Sequence, residues 1–313
     1  MNTYIIEGGI GKQVAFTAII DALVKKDKDK IQVHSPYVDI FGGNTNIKFA
    51  LDANIIHQSD KRILESQNIC YCEPYKSNYL KGELHIIQSY CKLFGVKYDE
   101  LKMRPRMYTD HYKEGAKKIA GESDFIVVQF SGGQAPAGFN PNNPYNSNDP
   151  SRNYHPFLAQ KVIDILKENY KDLTILNFSL PNEPNYEQTI KPDLMPFAQW
   201  HEILILPNCK EFISTDSCLN HFSRSAGRKG VVIWGGTRWI QLGYKQNRNI
   251  NKWWKEWDDW DNERFEPQDP RNIMVEPRVV VDNFDRIYGK DLINEIQECN
   301  FCRPKVYGNS CEV

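Results

Sequence analysis

Two β-α-β patterns, one opening the chain and one in its second half, predict an α/β protein made of two Rossmann-like domains. The first pattern spans residues 4–34, and the second runs from Phe212 to Thr237, FISTDSCLNHFSRSAGRKGVVIWGGT. Between them, Asp124-Phe-Ile-Val-Val-Gln-Phe130 is an apolar run of the kind buried on both faces of a parallel sheet, and it follows an extended link at Arg104-Pro-Arg106. These marks divide the chain into a first domain over residues 1–115, a second over 116–290, and a short helix and tail over 291–313.

Composition narrows the class. With 313 residues, 41% hydrophobic and 25% charged, the chain can bury the cores of two ordinary domains and has a globular make-up. A formal net charge of −1 supplies no overall pull toward nucleic acid or membrane. The opening MNTYIIEGGIGK lacks a basic segment followed by an apolar one, and no run reaches membrane-span length. A cytoplasmic protein without a transmembrane segment is therefore expected. Cysteines are scattered at 70, 72, 91, 209, 218, 299, 302 and 311, and reduced thiols are expected. Cys299, Cys302 and Cys311 offer three thiolates where a structural zinc normally takes four ligands, so no metal site is expected.

Within the first domain, Tyr4-Ile5-Ile6 reads as a short strand and Glu7-Gly-Gly-Ile-Gly11 as a glycine-rich turn. Lys12 to Lys26 reads as a helix with Val14, Ala18, Ile19, Ala22 and Leu23 on one face, and Ile31 to Val33 as the next strand. Glycines at 8, 9 and 11 let the backbone approach a ligand closely. GGIGKQ has some of the look of a phosphate-gripping loop, but the G-x-x-x-x-G-K-[ST] spacing fails and Gln13 stands where a hydroxyl is needed. That argues against a nucleotide triphosphatase. Ser35 to Phe41 reads as a loop and short helix, Asn44 to Phe49 as a turn, Ile69 to Cys72 as a strand, and Glu83 to Phe94 as an amphipathic helix.

In the second domain the strand at Asp124–Phe130 leads into Ser131-Gly132-Gly133, and the Asn- and Pro-rich stretch from Gln134 to Asn153 suits a lid or mobile loop. A helix at Pro156–Asn169, a strand at Leu173–Phe178, a loop carrying Glu183 and a helix at Met195–Leu204 follow. Next come a strand ending at Ile213, the polar turn Ser214–Ser217, a helix from Cys218 to Ala226 stopped by Gly227, and a strand at Val231–Trp234. Free amides at the start of the 218–226 helix, backed by its dipole, favour an anionic group such as a phosphate. Thr215, Asp216 and Ser217 are also good capping residues, so plain capping competes with that reading. Trp253, Trp257 and Trp260 share one side of a helix and read as packing rather than as a stacking platform.

The block TDSCLNHFSRSAGRKGVVIWGGT resembles the D-[ST]-G-x-x-H-[LI]-A-x-A-x-G-x-P-x-[VI]-x-[LIV]-[FWY]-G-x-T signature of the lipopolysaccharide heptosyltransferases, glycosyltransferase family nine. Asp216, Ser217, His221, Gly227, Gly235 and Thr237 fall in register, with Cys218 in place of the usual Gly and Lys229 in place of the usual Pro. The opening of the chain also resembles that family's strand followed by S-x-[LI]-G-D-x-[LIV]. The likeness covers residues 4–41 loosely and 124–245 more firmly. It implies the GT-B architecture, two Rossmann-like domains facing a central cleft, with the tail over 291–313 returning toward the first domain. It further implies a monomeric, inverting transferase that needs no metal or cofactor and moves a sugar from a nucleoside diphosphate sugar to a hydroxyl.

The resemblance also assigns positions. Ser131, Gly132 and Gly133, with Thr215, Asp216, Ser217 and Cys218, hold donor phosphate. Arg152 contacts the diphosphate, Glu183 bonds the ribose hydroxyls and Met195 lies near the base. His221 either holds its helix to the sheet or reaches the donor. Gly9, Gly11 and Lys12 meet the acceptor. The departure is Lys12, which stands where the family has an Asp acting as catalytic base, and an ammonium does not accept the acceptor's proton. Three readings stay open: Glu7 or Asp39 is the base; Lys12 holds an anionic acceptor or the leaving diphosphate; or the protein binds a sugar nucleotide without turnover. For the acceptor, a saccharide such as a lipopolysaccharide-type glycan is the family default. The alternative is a phage-encoded enzyme that glycosylates 5-hydroxymethylcytosine in DNA.

Overall fold

The computed structural model describes residues 2–53, 68–75, 84–132, 152–181, 183–235, 237–251 and 275–288. In the first domain, β1 (Thr3–Ile5) lies between β2 (Ile31–Ser35) and β4 (Ile69–Tyr71), and β3 (Ile47–Asp52) pairs outside β2. All pairings are parallel, with Tyr4 opposite Val33 on one side and Cys70 on the other. In the second domain, β5 (Phe125–Gln129), β6 (Thr174–Asn177), β7 (Cys209–Thr215), β8 (Gly230–Trp234) and β9 (Arg248–Asn251) form a parallel sheet in the order β6-β5-β7-β8-β9. Every residue of β5 is buried, as its uninterrupted apolar run requires.

Helices fill the crossovers. The helix expected over 12–26 begins earlier and is broken: α1 (Ile10–Phe16), a 3₁₀ turn at Thr17–Ile19, then α2 (Ile20–Asp27). At the break the Thr17 hydroxyl donates to the Val14 carbonyl at 2.6 Å and accepts from the Arg106 amide at 2.9 Å, so a side chain and the interdomain link compete with the helical ladder. Arg106 itself pairs with Asp21 at 2.6 Å on the surface and does not line the cleft. The expected turn at Asn44–Phe49 is corrected: Ile47–Asp52 is the edge strand β3, whose Phe49 is 50% exposed. Ile47, Phe49 and Leu51 alternate along it, and pairing with β2 forms the strand although that apolar face stays largely open to solvent.

The remaining helices are α3 (Ile86–Leu93), α4 (Lys113–Ala120), α5 (Pro156–Asn169), α6 (Phe197–Ile205), α7 (Cys218–Ala226), α8 (Trp239–Leu242) and α9 (Pro277–Tyr288). Gly227 ends α7 at φ +74°, and the Arg228 amide closes on the Ser223 carbonyl at 2.8 Å, a glycine stop of the kind the sequence indicates. One apolar core lies between the second sheet and α5 and α9. A second runs without interruption from the first domain to the opposite face of the second sheet. Tyr37 and Phe197 meet edge-on across the boundary at 5.7 Å, and Phe197 stacks on Phe222 at 6.4 Å. Among the described residues, no helix is long and apolar enough to cross a membrane. Gly133, the three tryptophans at 253, 257 and 260, Cys299, Cys302, Cys311 and the 291–313 tail lie outside the described residues.

Candidate active site

Parallel strands deliver their C-terminal loops to one edge of a sheet, and here the two edges face each other across a cleft of about 800 Å³. One wall is made by the turn from β7 into α7. Thr215, the last residue of β7, is fully buried and does not reach the cleft, whereas Asp216, Ser217 and Cys218 line it. Ser217 occupies the N-cap position in extended conformation but makes no capping bond, and its buried hydroxyl has no partner among the described residues. Plain capping by Ser217 is therefore not what the turn does. One first-turn amide, that of Leu219, donates to Gln129 Oε1 at 3.3 Å.

Asp216 is locked from two sides. Its carboxylate forms an ion pair with Arg152, Oδ2 to Nε 3.0 Å, and accepts from the Thr237 hydroxyl, and its backbone carbonyl accepts from Arg152 Nε and Nη2 at 3.2 and 2.8 Å. The Asp and the distal Thr of the sequence block are thus one hydrogen-bonded unit that sets Arg152 at the amino end of α7. Gly132 packs onto the same carbonyl: a Cβ there would sit 2.4 Å from Asp216 O, so a bare backbone is required. The Gly132 amide donates to Asn153 Oδ1 at 2.9 Å, and Ser131 is buried beside it in the cleft wall.

Further along this wall, Glu183 accepts from the Leu180 amide at 2.7 Å, while Lys191 clasps the carbonyls of Leu180 and Glu183 at 2.7 and 3.1 Å. Burial pushes the Glu183 carboxyl up to about 7, against the opposing pull of that amide and Lys191. Met195, Phe197 and Trp200 form an apolar face opposite, and the buried Trp200 Nε1 has no partner among the described residues. Burial also pushes the Cys218 thiol to about 12, which leaves it protonated and unreactive. His221 lies within hydrogen-bonding distance of Tyr244, Nδ1 to hydroxyl 2.8 Å. Burial, with Arg152 nearby, holds it down at about 3, so it stays neutral.

The facing wall belongs to the first domain. Gly8, Gly9, Ile10, Gly11 and Lys12 all line the cleft, and Gly11 touches α7 directly. A Cβ on Gly11 would fall 2.6 Å from His221 Cδ2. Gln13, which breaks the phosphate-loop pattern, ties the turn to β2: its Nε2 donates to the Ile6 carbonyl at 3.0 Å and its Oε1 accepts from the Ser35 hydroxyl at 3.0 Å. Lys12 is buried, with Nζ 2.9 Å from Glu73 Oε2 and 4.9 Å above the Tyr75 ring. Asp39 lines the cleft, and its Oδ2 accepts from the Ala198 amide at 3.0 Å, which caps α6 from across the domain boundary. Glu7 is exposed and outside the cleft lining.

The structure therefore brings together Gly9, Gly11, Lys12, Asp39, Ser131, Gly132, Arg152, Glu183, Met195, Asp216, Ser217, Cys218 and His221 around one cleft. Sequence reasoning missed Gln129, at the end of β5, and Glu73, which follows β4. The signal for both was position: each closes or follows a strand adjacent to one that carries a recognised loop.

No protein-family model matches the sequence, and no curated protein matches it. Solved structures do match. A glycosyl transferase of family 9 from Veillonella parvula DSM 2008 superposes with a TM-score of 0.63 at 11% identity, over 92% of this chain and 97% of the other. The ADP-heptose lipopolysaccharide heptosyltransferase II of E. coli gives 0.63 at 13% identity, over 92% and 98%. TibC, an iron-containing dodecameric glycosyltransferase from enterotoxigenic E. coli H10407, gives 0.61 at 12% identity, over 91% and 75%. With its two parallel sheets and the cleft between their C-terminal edges, the chain has the GT-B fold of the family nine glycosyltransferases and heptosyltransferases.

Proposed function

We propose that this chain is an inverting glycosyltransferase that moves a sugar from a nucleoside diphosphate sugar to a hydroxyl of a saccharide acceptor. The observation that carries the reading is the amino end of α7. It is uncapped by Ser217, flanked by Arg152 and turned into a cleft opposite the glycine loop. A diphosphate seated there meets helix amides and the positive end of the dipole. Arg152 spends Nε and Nη2 on Asp216, and its Nη1 has no partner among the described residues, so it can address a phosphate oxygen. As the bond to the anomeric carbon breaks, charge grows on the diphosphate, and these preorganised donors stabilise it. In this reading Glu183 accepts from the ribose diol, and Met195, Phe197 and Trp200, which line the cleft with it, supply an apolar bed for the base.

In this reading the leaving charge is met by the protein's own donors, so transfer is expected to persist with a chelator present. A DNA acceptor draws no support from the cleft. Among the described residues its two lining cations, Lys12 and Arg152, are each engaged by a carboxylate. The test is a thermal-shift panel of nucleoside diphosphate sugars headed by ADP-sugars, because a ligand that binds only the folded state raises the midpoint. One donor class is expected to stabilise the wild type and to lose that effect in Glu183→Ala. Failure of every donor to stabilise the protein overturns the reading.

A further inference from the structure

Lys12 is the one position where the glycine loop lacks the chemistry that transfer to a hydroxyl demands, and the structure supplies a carboxylate beside it. Glu73 follows β4, and β4 pairs directly with β1, so the loop after β4 and the glycine loop after β1 emerge side by side at the same sheet edge. Glu73 Oε2 lies 2.9 Å from Lys12 Nζ, and Oε1 accepts from the Tyr75 amide at 3.1 Å, which fixes the carboxylate's orientation. The Lys12 side chain is 3% exposed and that of Glu73 39%, so the cation is sequestered behind a carboxylate open to an incoming molecule. Lys12 and Tyr75, which hold Glu73, both line the cleft, and Glu73 stands directly against them, just outside the lining itself.

We propose that Glu73 is the catalytic base, taking the proton of the acceptor hydroxyl, and that Lys12 is its positioning partner. This rests on the transferase reading above. The carboxylates that line the cleft have other tasks: Asp39 caps α6 through the Ala198 amide, Asp216 is bound by Arg152 and Thr237, and Glu183 stands on the nucleotide side. In the step, the hydroxyl proton passes to the Glu73 carboxylate as the acceptor oxygen bonds the anomeric carbon. The bond from that carbon to the diphosphate oxygen breaks on the opposite face, and its electron pair leaves on the diphosphate. The configuration inverts, and the Lys12 ammonium holds the carboxylate in place throughout.

The experiment compares wild type, Glu73→Gln, Glu73→Asp and Asp39→Asn, using the donor found by thermal shift and an acceptor glycan. Glu73→Gln is expected to lower kcat by about 10²–10⁴-fold, the usual worth of a general base, with the donor Kd within about twofold of wild type. At saturating donor, where binding through Glu183 no longer sets the pH dependence, the acidic limb of the kcat profile is expected to vanish in Glu73→Gln and to persist in Glu73→Asp, whose kcat recovers in part. If Glu73→Gln does not fold, Lys12→Met combined with Glu73→Gln removes both charges of the pair and is assayed in its place. A wild type that binds donor and transfers sugar while Glu73→Gln retains full kcat, or while Asp39→Asn alone abolishes the acidic limb, overturns this inference and leaves the transferase reading standing. A wild type that binds no donor overturns both.

Discussion

Gly11→Ala probes the seam on which the cleft depends. The added Cβ stands 2.6 Å from His221 Cδ2 and 3.0 Å from Nε2, about 1 Å inside an ordinary carbon contact. The ring has no easy retreat, because Nδ1 is held at 2.8 Å by the buried Tyr244 hydroxyl. Overpacking of this kind costs about 1–3 kcal/mol. His221→Ala alone removes the ring and the Tyr244 bond, again at about 1–3 kcal/mol. In the double variant the methyl occupies space the ring has left, so its cost is expected to be close to that of His221→Ala alone. The resulting coupling, about 1–3 kcal/mol, is read from urea denaturation of the four proteins at matched m-values. Additive losses to within about 0.5 kcal/mol would refute the claim that these two residues touch across the domain boundary.

Gly132→Ala places a Cβ 2.4 Å from the Asp216 carbonyl, a backbone atom that cannot swing aside, so the turn into α7 must move. Donor-induced thermal stabilisation is expected to disappear, and its survival would show that the turn does not hold phosphate. Gly230→Ala would set a Cβ 2.3 Å from Phe212 O, a backbone atom of the paired strand β7. A loss of more than about 2 kcal/mol in a denaturation series is expected rather than a gain. Glu183 gives a pH signature: its folded value of about 7 lies above the ordinary 4.5, so its contribution to stability is full below 4.5 and is lost as pH rises through 7. Donor affinity runs the other way, since only the carboxylate accepts from both ribose hydroxyls. Calorimetry is expected to show about tenfold tighter binding at pH 8 than at pH 6 in wild type and a flat profile in Glu183→Gln.

What the sequence disclosed follows from where its signals are local. α5 starts at Pro156 in the first helical turn, and α7 ends at Gly227 with positive φ, so both appear where the sequence places them. β3 and β9 each lie at an outer edge of a sheet: β3 alternates Ile47, Phe49 and Leu51 over a short, solvent-open stretch, and β9 carries Ile250 alone, so neither shows the continuous apolar run that marks a buried strand. α9 carried a readable apolar stripe, Val280, Val281 and Phe284, and was passed over. The site divides in the same way. The residues proposed to meet phosphate are contiguous or fall in one block, whereas Glu73 reaches Lys12 only because β4 pairs with β1, a fact of strand order. Glu7, the nearest carboxylate to the glycine loop in sequence, lies outside the cleft.

Among the described residues, Gly11 against His221, Asp39 onto the Ala198 amide and Tyr37 against Phe197 are contacts that join the domains beside the cleft. Each links the first domain's C-terminal edge to the first turns of α6 or α7, so the glycine loop and the turn before α7 are held in one register by backbone-level packing. A Lys at position 12 leaves that frame intact, since its side chain folds back along Gly8 toward Glu73. What changes is charge. A lone acid at this position contributes −1 opposite a diphosphate, whereas the Lys12–Glu73 pair contributes zero, which lessens repulsion of the donor. The exchange is consistent with a site that keeps a carboxylate for the proton while adding a fixed cation beside it. On that argument Lys12→Met is expected to weaken donor binding, and Lys12→Asp to weaken it further through two adjacent carboxylates.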